Sequence, residues 1–418
     1  MRFPKIIDLD QEQRQVFNNA PSDKNIVITG SPGTGKTIMA LHRAMKLAQL
    51  GKKPHLIMYN RVLAKYTNSG ESKTNVKVST RDKWIYDWWK GATILKGKKL
   101  PKIRIDKYNT KFDWKTIYQE IIQINNKKDL EELNWGHLLI DEGQDFEEDM
   151  YFTLNALSGH FKSYELECMI TVFADDNQRL QISNNSSVED ICKMFSIKKD
   201  DLTRKYSLTK NFRNTIETAN FAKYFQVKDH ETPQRAPTRK GTIPSIYFFD
   251  NTDTIVKFII RLVLNYPGKQ YGIIVDGTRY DVNQYYKKIS ESKDITNIKV
   301  QAYISGNINF SDEKLDFLIP NSITILNKQS AKGTEFDYVF YLGLEKNNFD
   351  SSEGINEKMS LYVMSSRPRE DLYILFNNVS TDAAYMSILK TFPNFDNDIC
   401  KYSGFGALKG KEKLILKT

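Results

Sequence analysis

Cysteine is scarce: Cys168, Cys192 and Cys400 stand far apart in a chain of 418 residues and form neither a disulfide framework nor a zinc spacing. A reducing, cytoplasmic setting is therefore expected. The five histidines are scattered without metal-ligand spacing. Long apolar runs are missing as well, because nowhere do about 18 apolar residues follow one another without a charge. Residues 1–15 carry charges every few positions and no apolar h-region, so neither a membrane span nor a secretory leader is expected. No internal repeat is visible.

What is present reads as packed and globular. Apolar residues at 40%, charged residues at 27% and aromatics at 12% argue against disorder, collagen and coiled coil. At about 150 residues per domain the chain divides into two or three. Sixty-one Lys and Arg against 51 Asp and Glu leave +10, a balance that favours a polyanionic partner, nucleic acid first.

Short apolar runs recur at 25–30, 55–60, 76–80, 137–142 and 169–175, with polar or helical stretches between them, the beat of a parallel α/β sheet. A second series runs through 243–249, 271–276, 323–326, 338–344 and 372–376. Two α/β lobes follow, 1–205 and 206–395, with the boundary near 204–208 and a basic tail over 396–418. Between 85 and 135 the strand beat lapses into a basic, tryptophan-bearing insertion. Trp84, Trp88 and Trp89 pair on one helix face with Ile85, so burial against the first lobe is expected, with base stacking the alternative.

Gly30, Ser31, Pro32, Gly33, Thr34, Gly35, Lys36 and Thr37 fit the phosphate-loop pattern, between the apolar run Ile26, Val27, Ile28 and a helical stretch over 37–50. The glycines let backbone N–H groups surround phosphates at a helix N-terminus. Lys36 would neutralise the β- and γ-phosphates and Thr37 would hold Mg²⁺. A second run, Leu138, Leu139, Ile140, leads into Asp141 and Glu142, which places one carboxylate to hold the ion and one to polarise water.

With these residues in place, the chain resembles the UvrD/Rep-like branch of superfamily 1 helicases from about residue 9 to residue 374. The resemblance implies two RecA-like P-loop lobes with parallel sheets and a small insertion in the first lobe. Gln13 occupies the position that reads adenine. Gln178, after Asp175, Asp176 and Asn177, stands where the family senses the γ-phosphate. Arg213 and Arg367 stand where second-lobe arginines reach that phosphate, Phe212 where an aromatic stacks near the base, and Glu335, in Lys332-Gly333-Thr334-Glu335, where a carboxylate reaches the ribose. Tyr59 and Thr80 fall at positions associated with nucleic-acid contact. The implied activity is ATP hydrolysis driving 3′ to 5′ movement on single-stranded nucleic acid, DNA before RNA, with Mg²⁺.

Departures from the family pattern narrow that expectation. The accessory insertions are short, so movement on one strand is expected rather than independent unwinding. No aromatic occurs in 179–184, where Ser183 takes its place; Gln329 replaces a frequent histidine; and Asn60, Arg61, Val62 and Leu63 depart from the usual wording. These reductions leave room for an alternative, an ATP-gated switch subunit that regulates a partner such as a nuclease.

Overall fold

The computed structural model describes residues 6–59, 61–68, 76–107, 110–178, 185–227, 234–347, 349, 354–379, 387–388, 390–394 and 397–404. Fifteen strands are found among them: β1 Ile26–Gly30, β2 Pro54–Met58, β3 Lys77–Thr80, β4 Lys102–Arg104, β5 Thr110–Phe112, β6 His137–Ile140, β7 Met169–Ala174, β8 Lys205–Leu208, β9 Ser245–Phe249, β10 Gln270–Val275, β11 Lys299–Ala302, β12 Ser322–Asn327, β13 Phe336–Leu342, β14 Pro368–Asn377 and β15 Lys401–Ser403. One sheet has the order β3-β2-β6-β7-β1-β8 and another β11-β12-β10-β13-β14-β9-β15. Every pairing in both is parallel, as continuous apolar strands covered by helices on both faces require. These are the two α/β lobes that the strand rhythm implies.

Three details differ from the sequence reading. β8 pairs with β1, so the first sheet runs to Leu208 and the crossover to the second lobe occupies 209–215, beyond the expected boundary. The insertion contributes a small antiparallel hairpin, β4 with β5, where no strand was expected. The start of the supposed loose tail is ordered: β15 joins the second sheet beside β9, with Tyr402 opposite Ile246. A lysine-rich stretch conceals that strand because edge strands tolerate charge. Residues 405–418 of that tail lie outside the described residues.

The tryptophans are core. Trp84 stacks on Trp88 at 5.3 Å, and Trp88 Nε1 donates to the Leu133 carbonyl at 2.8 Å. Together with Trp89, Trp114, Ile117 and Leu130 they cover one face of the first sheet through Val27, Ile57, Leu138 and Val172, so the expected burial holds. On the other face one apolar cluster passes from Ile26, Ile28 and Leu56 through Leu315 and Phe317 to Ile274, Leu326 and Leu361. The two lobes therefore share an apolar cluster and frame a cleft. Among the described residues no helix is long and apolar enough to cross a membrane.

Candidate nucleotide and nucleic-acid site

The cleft begins at the carboxyl end of β1, where ligands of parallel sheets gather. There the chain turns through the phosphate loop into the helix Lys36–Gln49. Gly33 has φ +80° and Gly35 φ +86°, values that a side chain resists. Space forbids one too: a Cβ on Gly33 would come 2.3 Å from Asn211 Oδ1, and one on Gly35 would come 2.8 Å from Gln13 Nε2. Gln13 is locked on both sides. Its backbone N–H donates to Asp10 Oδ1 at 2.9 Å in a helix cap, and its Nε2 donates to the Thr34 carbonyl at 3.1 Å.

Lys36 is buried and folded back on the loop, donating to the Gly30 carbonyl at 2.6 Å and the Ser31 carbonyl at 3.3 Å. Burial holds its pKa below the usual lysine range, with the carboxylates of Asp175, Glu142 and Asp141 working against that effect. Thr37 Oγ1 donates to Asp141 Oδ2 at 2.6 Å. The other carboxylate oxygen, Asp141 Oδ1, is buried without a hydrogen-bond partner. Such an orphaned acceptor is costly, and an oxygen-seeking divalent cation beside Thr37 is the group it fits. Burial and the adjacent Glu142 carboxylate push the Asp141 carboxyl well above its ordinary range.

Glu142 sits at φ 54°, a left-handed conformation that a non-glycine residue adopts only under constraint from its surroundings. Its Oε2 accepts from Gln144 Nε2 at 2.6 Å. Burial acts to raise its pKa, but Lys332, Lys36, Arg367 and the Gln144 bond together hold it below the carboxylate norm. An ionised carboxylate at this position can accept a proton from water.

From the other side come the arginines. Arg213 lies in the crossover, which rests directly on the phosphate loop: the Phe212 N–H donates to the Gly33 carbonyl at 2.9 Å. Arg213 Nε donates to Glu335 at 2.8 Å, so the residue expected at the ribose holds an arginine here. Arg367 is buried, and its pKa is lowered to about 9 by burial first and by the Arg213 guanidinium second. Crowded, desolvated cations of this kind are relieved by a polyphosphate.

Gln13, Ser31, Pro32, Gly33, Gly35, Lys36, Thr37, Glu142, Gln178, Phe212, Arg213, Glu335 and Arg367 line a single cleft of about 940 Å³. Phe212 is 46% exposed there, with Lys210 Nζ 4.8 Å from the centre of its ring. Gly30 and Thr34 form the loop around it, with Thr34 Oγ1 donating to the Ser31 carbonyl at 2.8 Å.

Tyr59 and Thr80 stand apart from that cleft but near each other. Tyr59 follows Met58, which pairs with Thr80 across β2 and β3, so both lie at the carboxyl edge of the first sheet. Thr80 also caps the helix Arg81–Gly91. Asn60 and residues 179–184, including Ser183, lie outside the described residues.

Sequence reasoning missed two participants although it quoted their motifs. Asp175 accepts from Gln178 Nε2 at 2.9 Å and lies 4.0 Å from Lys36 Nζ, which ties Gln178 to the phosphate loop. Lys332 crosses from the second lobe into the first and is buried against Asp145 and the Gln178 carbonyl. A lysine among the small residues Ser330, Ala331, Gly333 and Thr334 was the available signal.

Two stretches of the chain match known protein families. Residues 13–184 match the family model described as an AAA domain, and residues 278–379 match the UvrD-like helicase C-terminal domain. DNA helicase II of Rickettsia typhi is 26% identical over 215 residues, covering 47% of this chain and 31% of that protein. The chain thus spans about a third of the length of the curated relative it matches. Among solved structures, the Pif1 helicase of Candida albicans aligns over 92% of this chain and 99% of its own at 15% identity and TM-score 0.44. The C-terminal domain of a possible DNA helicase from Lactobacillus plantarum aligns over 46% of this chain and 98% of its own at 15% identity and TM-score 0.30.

Proposed function

We propose, from the likeness of this chain to UvrD/Rep-like superfamily 1 helicases, that it hydrolyses ATP to move along single-stranded DNA. The observation that carries the reading is the cleft itself, in which the phosphate loop of the first lobe meets Arg213 and Arg367. Lys36 and the loop amides bind the β- and γ-phosphates, Gln13 and Phe212 flank the base, and the two guanidiniums meet the charge that develops on the transferred phosphoryl group. Glu142 takes the proton of the attacking water. A Mg²⁺ ion held by Thr37 and Asp141 would neutralise phosphate charge.

Motion follows from where the arginines reside. Bound triphosphate is contacted from both lobes; hydrolysis and phosphate release weaken that bridge and let the lobes part. A strand lying over Tyr59 and Thr80, at the carboxyl edge of the sheet, would feel the separation as a change of distance. Base stacking on Tyr59 needs no particular sequence.

The test is the ATPase rate with and without single-stranded DNA, with RNA as a parallel arm. A rate raised by DNA and lowered again by added salt, as phosphate contacts require, is the expected result. No stimulation at low salt contradicts it, and equal stimulation by RNA withdraws the preference for DNA.

A further inference from the structure

Lys332, carried by the second lobe, reaches into the first. Its side chain is fully buried, and a buried ammonium is tolerated only where anions and carbonyls replace its water. It bonds the Asp145 carboxylate and the Gln178 carbonyl, lies 3.9 Å from Glu142 Oε2, and stands 5.2 Å from the centre of the Tyr59 ring. One ammonium thus touches the elements that carry the water-activating carboxylate, the glutamine of the cleft and the aromatic at the strand edge.

The loop carrying it leaves little freedom. Two residues on, the Thr334 carbonyl accepts from Arg367 Nη1 at 3.4 Å, and the next residue, Glu335, holds Arg213. Gln178 is gripped twice, at its carbonyl by Lys332 and at its Oε1 by Arg367 Nη2, 3.1 Å away. Any shift of Lys332 is therefore passed to both arginines and to Gln178. Because the ammonium covers one face of the Tyr59 ring, a base stacking on the opposite face sandwiches the ring and presses on the cation.

We propose that Lys332 is a positioning residue that transmits occupancy of the Tyr59 ring by a nucleic-acid base to the hydrolytic groups Glu142 and Gln178. The inference rests on the proposed strand-dependent ATPase and adds the route of stimulation.

The experiment uses the full chain with a fluorescent ATP analogue and a single-stranded oligonucleotide. Lys332→Met should retain analogue binding and the KM for ATP but lose on the order of a hundredfold in strand-stimulated kcat, as misplacement of reacting groups does. Lys332→Arg, which keeps the charge, should recover part of that loss. Tyr59→Leu combined with Lys332→Met should be no worse than Lys332→Met alone, because both break one route. Should Lys332→Met fail to bind the analogue, Lys332→Met with Asp145→Asn, which leaves no unpaired buried charge, takes its place in every comparison.

Full stimulation in a variant that binds nucleotide overturns the inference, as does a multiplicative loss in the Tyr59 double variant. A wild-type chain that hydrolyses ATP without any response to the strand overturns the proposed function and this route with it, whereas a stimulated wild type with unaffected variants removes the route alone.

Discussion

Arg367 Nη2 donates to Gln178 Oε1 at 3.1 Å, and through Gln178 and Asp175 that bond continues to Lys36. The second lobe is thereby wired to the phosphate loop by polar contacts that are all buried, where each is stronger than in water and costly to leave half made.

Arg367→Ala is expected to lower kcat at saturating strand by on the order of a thousandfold, the scale of a missing arginine finger. Arg367→Lys should remain impaired, since a point charge cannot bond Gln178 and a phosphate with one planar fork. Steady-state phosphate release measures both.

Lys36→Ala and Glu142→Gln should both stop turnover in different ways. The first removes the cation beneath the phosphates, so nucleotide affinity falls; the second removes only the proton acceptor, so nucleotide stays bound. Equilibrium binding of a fluorescent analogue separates them, and retained affinity in Lys36→Ala contradicts its role.

Gly33→Ala forces a side chain into φ +80° and to 2.3 Å from Asn211 Oδ1. Nucleotide KM should rise roughly tenfold or more, the effect of losing about 1.4 kcal/mol of binding. Adding Asn211→Ala removes the nearest contact but leaves Arg213 Cβ at 3.0 Å and the backbone penalty, so rescue should be partial.

Acid should destabilise the first lobe in a defined window. His55, by burial and then by Lys77, has its pKa lowered to about 4, and His137, by burial and then by Arg43, to about 3. Both are neutral when folded, while the unfolded chain binds protons from about pH 6.5 downward. Their stabilisation is thus complete above pH 6.5 and lost as pH falls toward 4 and then 3, on the order of 3 kcal/mol for His55 by linkage. Urea unfolding between pH 7.5 and 4.5 should show the decline, and His137→Gln should flatten it. A slope unchanged in that variant contradicts the assignment.

Much of the site was legible because its chemistry is local. The phosphate loop needs glycines and a lysine at fixed spacing to shape backbone amides, and the Asp141–Glu142 pair needs an apolar strand before it; both constraints are written in consecutive residues. The lysine-bearing strand Lys401–Ser403 was not legible, since its apolar content is too slight for periodicity to register. Nor was the role of Lys332, whose partners Asp145, Gln178 and Tyr59 come from three other segments of the chain.

The order of amino acids by itself determined the two parallel sheets and the residues proposed to meet phosphate, because strand burial and loop geometry are set by near neighbours. Only the folded chain decided that Glu335 holds Arg213 and that Lys332 sits beneath Tyr59. Those pairings are settled by which surfaces meet when two lobes share one apolar core and every charge sealed between them must find a counter-group.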